Sequence, residues 1–155
     1  MSDAIEVHIV TADEVLPLRH AVLRTGLPIE SAVFSGDDAP TTKHFAAFRN
    51  AKLLAVASVF QMEMPEHRGV SAMQLRGMAT APVARGTGLG RALVAASIEF
   101  AKKNEIGLLW CNARTEAAGF YSKLGFQTVG PEFDIPGVGP HFRMKFPLTR
   151  SNEQL

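Results

Sequence analysis

A single cysteine, Cys111, among 155 residues excludes an intrachain disulfide and fits a reducing compartment. An excess of charge of one sign is also lacking. The formal net charge is +1, so nothing favours nucleic acid or an anionic membrane as partner. No apolar run approaches the ~20 residues that a spanning helix needs. The first residues, Met1 to Glu6, carry Asp3 and Glu6 and no apolar core, so they do not read as a secretory signal. His8, His20, His44 and His67 fall at no metal-ligand spacing, and no metal is expected. There is one tyrosine, Tyr121. The composition is that of an ordinary globular chain, 46% apolar and 20% charged. These bounds predict one soluble, cytoplasmic domain over residues 1–155 with a proper core.

Periodicity supplies the elements. Ile5 to Val10 alternates and predicts a strand; Thr11 with Asp13 and Glu14 is a helix start, followed by Val15, Leu18, Val22 and Leu23 at helical spacing. Gly26 and Pro28 end that helix. Leu27 to Thr42 is the least periodic part and reads as a surface loop with at most one helical turn. Lys43 to Arg49 and Lys52 to Gln61 predict an antiparallel pair about Asn50-Ala51. Pro65 to Gly69 is a polar loop, and Val70 to Thr80 is the next strand. Met62, Met64, Met73 and Met78 read as core or pocket filling. Leu89 to Lys103 predicts a helix burying Leu93, Ala96, Ile98 and Phe100. Ile106 to Asn112 is a strand, and Glu116 to Leu124 a short helix capped by Thr115 or Asn112. Phe126 to Val129 is a brief strand, Pro131 to Gly139 a loop, Pro140 to Leu148 a last strand, and Thr149 to Leu155 a loose tail.

The glycine-rich stretch Arg85-Gly86-Thr87-Gly88-Leu89-Gly90 joins a strand to an apolar helix. Glycine permits backbone angles closed to other residues and lets a ligand lie close. The first N–H groups of a helix lack intrahelical partners, and with the helix dipole they suit an anion. Arg85 adds a forked cation at the mouth of the turn. A nucleotide-triphosphate loop needs Lys-Ser or Lys-Thr after its last glycine, and here Arg91-Ala92 follows Gly90. The dinucleotide fingerprint needs a third glycine where Arg91 stands, and an acidic residue about 20 positions on, which is missing.

What remains is Arg-x-x-Gly-x-Gly, filled by Arg85, Gly88 and Gly90. It resembles the acyl-coenzyme A pyrophosphate loop of the GNAT N-acetyltransferase family. Phe120-Tyr121-Ser122-Lys123-Leu124-Gly125-Phe126 is similar to that family's tyrosine-bearing helix and its Leu-Gly-Phe turn. The two motifs stand in the family's order, and the resemblance covers Met73 to about Phe146. It implies an α/β (α+β) fold: a GNAT-like acyl-CoA N-acyltransferase with a mixed, mostly antiparallel central sheet, flanking helices and a splay between two parallel strands.

The same resemblance implies acetyl-CoA as cosubstrate and transfer of its acetyl group to an amine. The pantetheine arm would bond along Met78, Ala79 and Thr80, with Asn112 at the facing strand end and the pyrophosphate on Arg85, Gly86, Thr87, Gly88, Leu89 and Gly90. A backbone N–H near Thr80 would stabilise the oxyanion, and Tyr121 would protonate the leaving thiolate. The base stays open among His141, Glu30, Glu63, Glu116, Glu132, Asp134 and water. A non-catalytic acyl-CoA sensor of the same fold is the alternative. Asp37, Asp38, Glu132 and Asp134 read as solvated charges or as attraction for a cationic acceptor. Leu27 to Thr42 reads either as a bland loop or, by analogy with that fold, as a wall of the acceptor pocket. A homodimer is a family-level expectation. Cys111, in an apolar strand, reads as inert.

Overall fold

A computed structural model of the protein describes residues 4–148. The chain falls into two compact units. The first runs up to Gln61 and again over Leu75–Glu99; the second takes Met62–Gln74 and the chain from Phe100 onward.

In the first unit, β1 (Ile5–Val10) pairs antiparallel with β2 (Lys43–Arg49), which pairs antiparallel with β3 (Lys52–Gln61). The end of β4 (Ala72–Thr80) lies beside β3. All four ranges agree with the sequence reading to within two residues. The hairpin between β2 and β3 turns on Asn50 and Ala51, both at positive φ (53° and 64°), as a two-residue hairpin turn requires. Helix α1 (Ala12–Leu23) begins in a capping box. The Thr11 hydroxyl accepts from the Glu14 N–H, and the Glu14 carboxylate accepts from the Thr11 N–H at 2.9 Å. Its Val15 packs with Ala46, Val56 and Ala79, and Val10, Leu18, Val22 and Leu23 close over them.

Arg19, one turn on from Val15, is fully buried. Gly77, in β4 at φ +68°, gives it room. A Cβ there would lie 3.0 Å from the Arg19 Nε and 3.3 Å from the Phe34 ring. The segment Leu27 to Thr42 holds one 3₁₀ turn, Ile29–Ala32. Asp37 in this segment is not solvated. It is buried against Arg19, with an oxygen 2.7 Å from the guanidinium, while Asp38 is exposed.

In the second unit the start of β4 pairs in parallel with β5 (Leu108–Arg114), through Ala72–Leu108, Met73–Leu109 and Gln74–Trp110, and the ladder comprises these three pairs. β7 (Gly139–Pro147) pairs antiparallel with both β5 and β6 (Gln127–Ile135), giving the order β4-β5-β7-β6. Among the described residues there are seven strands, in a mixed, mostly antiparallel arrangement whose parallel pair is β4 and β5. Met64, Ala72, Leu108 and Trp110 form a core beneath Val129. Met62 is not core filling; it is exposed, and its carbonyl accepts the Trp110 indole N–H.

Four local expectations are corrected. The predicted loop Pro131 to Gly139 is mostly strand: β6 runs on to Ile135 past a register shift between Val129 and Phe133, where Gly130 takes φ +76°. A bulge absorbs the glycine and proline that read as a loop. The short helix is a 3₁₀ turn, Thr115–Ala117, followed by α3 (Ala118–Lys123). No side chain caps it, because the Thr115 hydroxyl donates to Glu132 instead and Asn112 lies within β5. Helix α2 (Leu89–Lys103) has the predicted range, but its buried positions are Leu89, Leu93, Val94, Ser97 and Ala101; Ala96, Ile98 and Phe100 are half-buried. The expected tail Thr149 to Leu155 lies outside the described residues.

Candidate functional site

The glycine turn belongs to the first unit. β4 ends at Thr80, a 3₁₀ turn over Pro82–Ala84 follows, and α2 starts at Leu89. Gly86 and Gly88 take φ +75° and +95°, which only glycine adopts without strain. A Cβ on Gly86 would meet nothing within 4 Å, and one on Gly88 would make an ordinary contact with Ile5 at 3.6 Å. The glycines thus serve backbone conformation rather than internal packing. Leu89 is buried and anchors the helix start, whereas Arg85, Gly86, Thr87 and Gly88 are exposed.

The turn is pinned from two sides. The Thr87 hydroxyl donates to the Ala84 carbonyl at 2.5 Å. Arg49, at the end of β2, donates to the Thr87 hydroxyl at 3.0 Å and to the Thr87 carbonyl at 2.9 Å. This two-pronged clamp ties the loop to the end of β2. The Ala92 N–H bonds the Gly88 carbonyl, so the helical ladder starts at once behind the loop. Sequence reasoning placed Arg49 only at a hairpin shoulder. Nothing within the 38 positions that separate it from Thr87 signals the contact.

Met78 and Thr80 on β4 are half-buried, and Ala79 is buried. The Ala81 N–H donates to the Leu54 carbonyl at 2.8 Å, which ties the strand end to β3.

The second unit holds the other predicted residues. Tyr121 on α3 is buried, with its ring edge-on to Phe120 at 5.0 Å and to Phe126 at 5.3 Å. Burial pushes its phenol above the ordinary value near 10, and neighbouring Cys111 adds to the rise. Burial likewise pushes the Cys111 thiol up to about 12, so it is a thiol and not a nucleophilic thiolate at neutral pH. Asn112 is half-buried on β5, and its side-chain oxygen accepts from Arg143 at 3.4 Å. Arg143 also donates to Glu66 at 3.1 Å and lies over the Trp110 and Phe133 rings.

Among the candidate bases, His141 is buried in β7 with its Nδ1 2.7 Å from the Gly139 carbonyl. A carbonyl only accepts, so Nδ1 carries a proton and Nε2 is the free ring nitrogen of the neutral form. Glu63 is engaged by Arg68 and the Gly69 N–H, and Glu132 by Thr115. Glu30, Glu116 and Asp134 are exposed. Among the described residues no three His, Cys, Asp or Glu side chains gather to hold a metal ion, and no helix is long and apolar enough to cross a membrane.

Residues 30–148 match the family described as acetyltransferase (GNAT) domain. The chain belongs to the GNAT acetyltransferase family. It is similar to an uncharacterized N-acetyltransferase, YitI, of Bacillus subtilis (strain 168), at 33% identity over 140 residues, 90% of this chain and 94% of that one. Its fold is shared by FeeM, an N-acyl amino acid synthase from uncultured soil microbes, with a TM-score of 0.77 at 13% identity over 95% of this chain and 92% of that one. An aminoglycoside 6'-N-acetyltransferase complexed with coenzyme A superimposes with a TM-score of 0.73, at 13% identity over 94% of this chain and 98% of that one. GNAT membership makes the chain an acyltransferase, and the Arg85–Gly90 turn and the Tyr121 helix are the two motifs by which its sequence resembles the family.

Proposed function

We propose that the chain is a cytoplasmic enzyme, one domain over residues 1–155, that moves the acetyl group of acetyl-CoA to an amine of a small molecule or peptide. The observation that carries this reading is the exposed Arg85–Gly88 turn, held by Arg49 at the start of a 15-residue helix with Gly86 and Gly88 at positive φ. A prearranged row of N–H donors at a helix start suits the pyrophosphate of coenzyme A, with Arg85 adding charge. Gly86, Thr87, Leu89 and Gly90 complete that cradle, and the family resemblance assigns Asn112 and Tyr121 to the arm of the cofactor.

The chemistry balances with residues of this chain. The pantetheine amides bond the backbone of Met78, Ala79 and Thr80. The neutral amine nitrogen attacks the thioester carbon, and the carbonyl becomes an oxyanion held by the N–H near Thr80, a donor whose loss typically costs ~3 kcal/mol of barrier. The C–S bond then breaks, and the thiolate takes the phenolic proton of Tyr121. The surplus proton of the new amide nitrogen leaves to water or to a base such as the Nε2 of His141.

Thermal unfolding tests the cofactor. Acetyl-CoA at 100 times its dissociation constant is expected to stabilise the protein by ~2.7 kcal/mol, and ATP or NAD at the same concentration much less. The shift should shrink in Arg85→Ala, Gly88→Ala. No shift with acetyl-CoA or coenzyme A would sink the reading. Arg49→Ala isolates the clamp. It is expected to weaken acetyl-CoA binding about tenfold, the effect of one or two lost hydrogen bonds, with little change in the melting temperature of the free protein. Unchanged affinity would mean that the loop holds its shape without Arg49.

A further inference from the structure

Asp37 and Asp38 of the Leu27–Thr42 segment suggested a cationic acceptor, but the charge gathered around Phe34 has the opposite sign. Three guanidinium groups gather on one ring: Arg19, Arg24 and Arg76 have their Cζ atoms 4.0, 5.4 and 4.5 Å from the centre of Phe34. Arg76 also lies 5.3 Å from the Phe60 ring. Among the described residues one carboxylate serves the three, and it is spoken for. Asp37 pairs with Arg19, and that side chain also donates to the Ala32 carbonyl and to Ser58.

Arg24 donates to the Leu23 carbonyl. Among the described residues nothing accepts a hydrogen bond from Arg76, and no carboxylate lies within ion-pair distance of Arg24 or Arg76. Both are half-buried. Stacking covers the face of a guanidinium and leaves its in-plane N–H donors, the fork that matches a carboxylate. A partly desolvated cation without a partner is costly, and an anionic ligand relieves that cost. Burial and the neighbouring Arg19 and Arg24 depress the Arg76 proton affinity, with Asp37 only partly offsetting them, which agrees with unbalanced positive charge at this spot.

Arg76 stands two positions before Met78 on β4, about 7 Å along the strand from the segment assigned to the pantetheine arm. We infer that Arg76, with Arg24 beside it on Phe34, binds the carboxylate of the acceptor, and that the acceptor is therefore a small amine bearing a carboxylate, as an α-amino acid does. The aromatic walls, Phe34 and Phe60, favour a singly charged carboxylate over a dianionic phosphate, which loses more on leaving water. The inference rests on the acetyltransferase reading for its reaction, but the anion site can be tested by binding alone.

The twenty standard amino acids, their C-terminal amides and phosphoethanolamine would be compared, with coenzyme A present, by thermal shift and then by acetyl transfer. At least one amino acid is expected to bind about tenfold or more tighter than its amide, as a charged hydrogen-bond pair provides. Arg76→Gln should abolish that preference, leaving the amide and the coenzyme A shift as they were. Arg24→Gln should weaken the preference and serves if Arg76→Gln fails to fold. Amino acids no better than their amides, or phosphoethanolamine better than either, would overturn the proposal. So would a preference that survives both substitutions. A preference that Arg76→Gln removes, in a protein that neither binds nor uses acetyl-CoA, would keep the anion site and discard the acetyltransferase reading.

Discussion

Asp37→Asn is expected to destabilise the fold by about 3–5 kcal/mol, the range found when one partner of a buried ion pair is removed and the other charge is left behind. Arg19 has no exposed surface, and Asp37 is its only carboxylate among the described residues. The damage would spread, because the same residues form a chain of bonds. Arg19 donates to the Ser58 hydroxyl at 2.9 Å, and that hydroxyl bonds the Nδ1 of His44 at 2.6 Å. The other ring nitrogen of His44 meets the Asp37 carbonyl at 2.9 Å. A carbonyl only accepts, so His44 donates from Nε2; in the neutral ring Nδ1 is then an acceptor, and Ser58 donates to it while accepting from Arg19. Asp37 also accepts the Phe34 N–H at 2.8 Å, which shapes the loop beneath Arg24 and Arg76. The check is urea unfolding of the wild type, Asp37→Asn, Arg19→Met and the double variant. The double variant should lose clearly less than the sum of the singles, since it strands no charge. A loss below ~1 kcal/mol for Asp37→Asn would show that water reaches the pair and screens it.

Tyr121→Phe is expected to lower kcat by about 10²–10⁴, the usual contribution of a positioned general acid, with acetyl-CoA binding and fold stability nearly unchanged. The ring would keep its edge contacts with Phe120 and Phe126, so only the hydroxyl is tested. The pH dependence has a definite sign. Burial disfavours the phenolate and raises the folded-state value above the ordinary one near 10. The acid form is then fully present at neutral pH and is lost only as pH rises past that raised value. A fall in kcat that begins below pH ~10, where even an ordinary phenol still holds its proton, belongs to another group. Single-turnover rates of the wild type and Tyr121→Phe from pH 6 to 10 would decide it. A variant with the wild-type rate throughout would remove Tyr121 from the chemistry and leave it as a core residue.

The elements that position the candidate site were legible where the signal is local. The capping box at Thr11 and Glu14 lies within four residues, and so does the Asn50-Ala51 turn. The glycine turn shows its backbone demand in its own composition, because positive φ at Gly86 and Gly88 requires little else. The reading failed where a local signal was overruled. Gly130 and Pro131 look like a loop, yet antiparallel pairing with β7 carries the strand past them at the cost of a bulge. Thr115 looks like a cap, but Glu132, 17 positions away, takes its hydroxyl.

One non-local feature did leave a trace. Arg19 falls four positions after Val15 on the apolar stripe of α1, where a charged residue belongs only if something buried answers it. The answer, Asp37, sits among polar residues of an aperiodic segment, and there a buried carboxylate looks like any solvated one. By itself, then, the sequence determined every strand but the run of β6 beyond Val129, together with α1, α2, the glycine turn and the family, since each rests on periodicity, turn chemistry or a contiguous motif. Only the tertiary structure decided that Arg49 clamps Thr87, that Asp37 is spent on Arg19, and that Arg24 and Arg76 lack a carboxylate among the described residues. Those facts depend on residues 18 to 42 positions apart meeting through the sheet and its flanking loop, and charge pairing of that kind has no period along the chain.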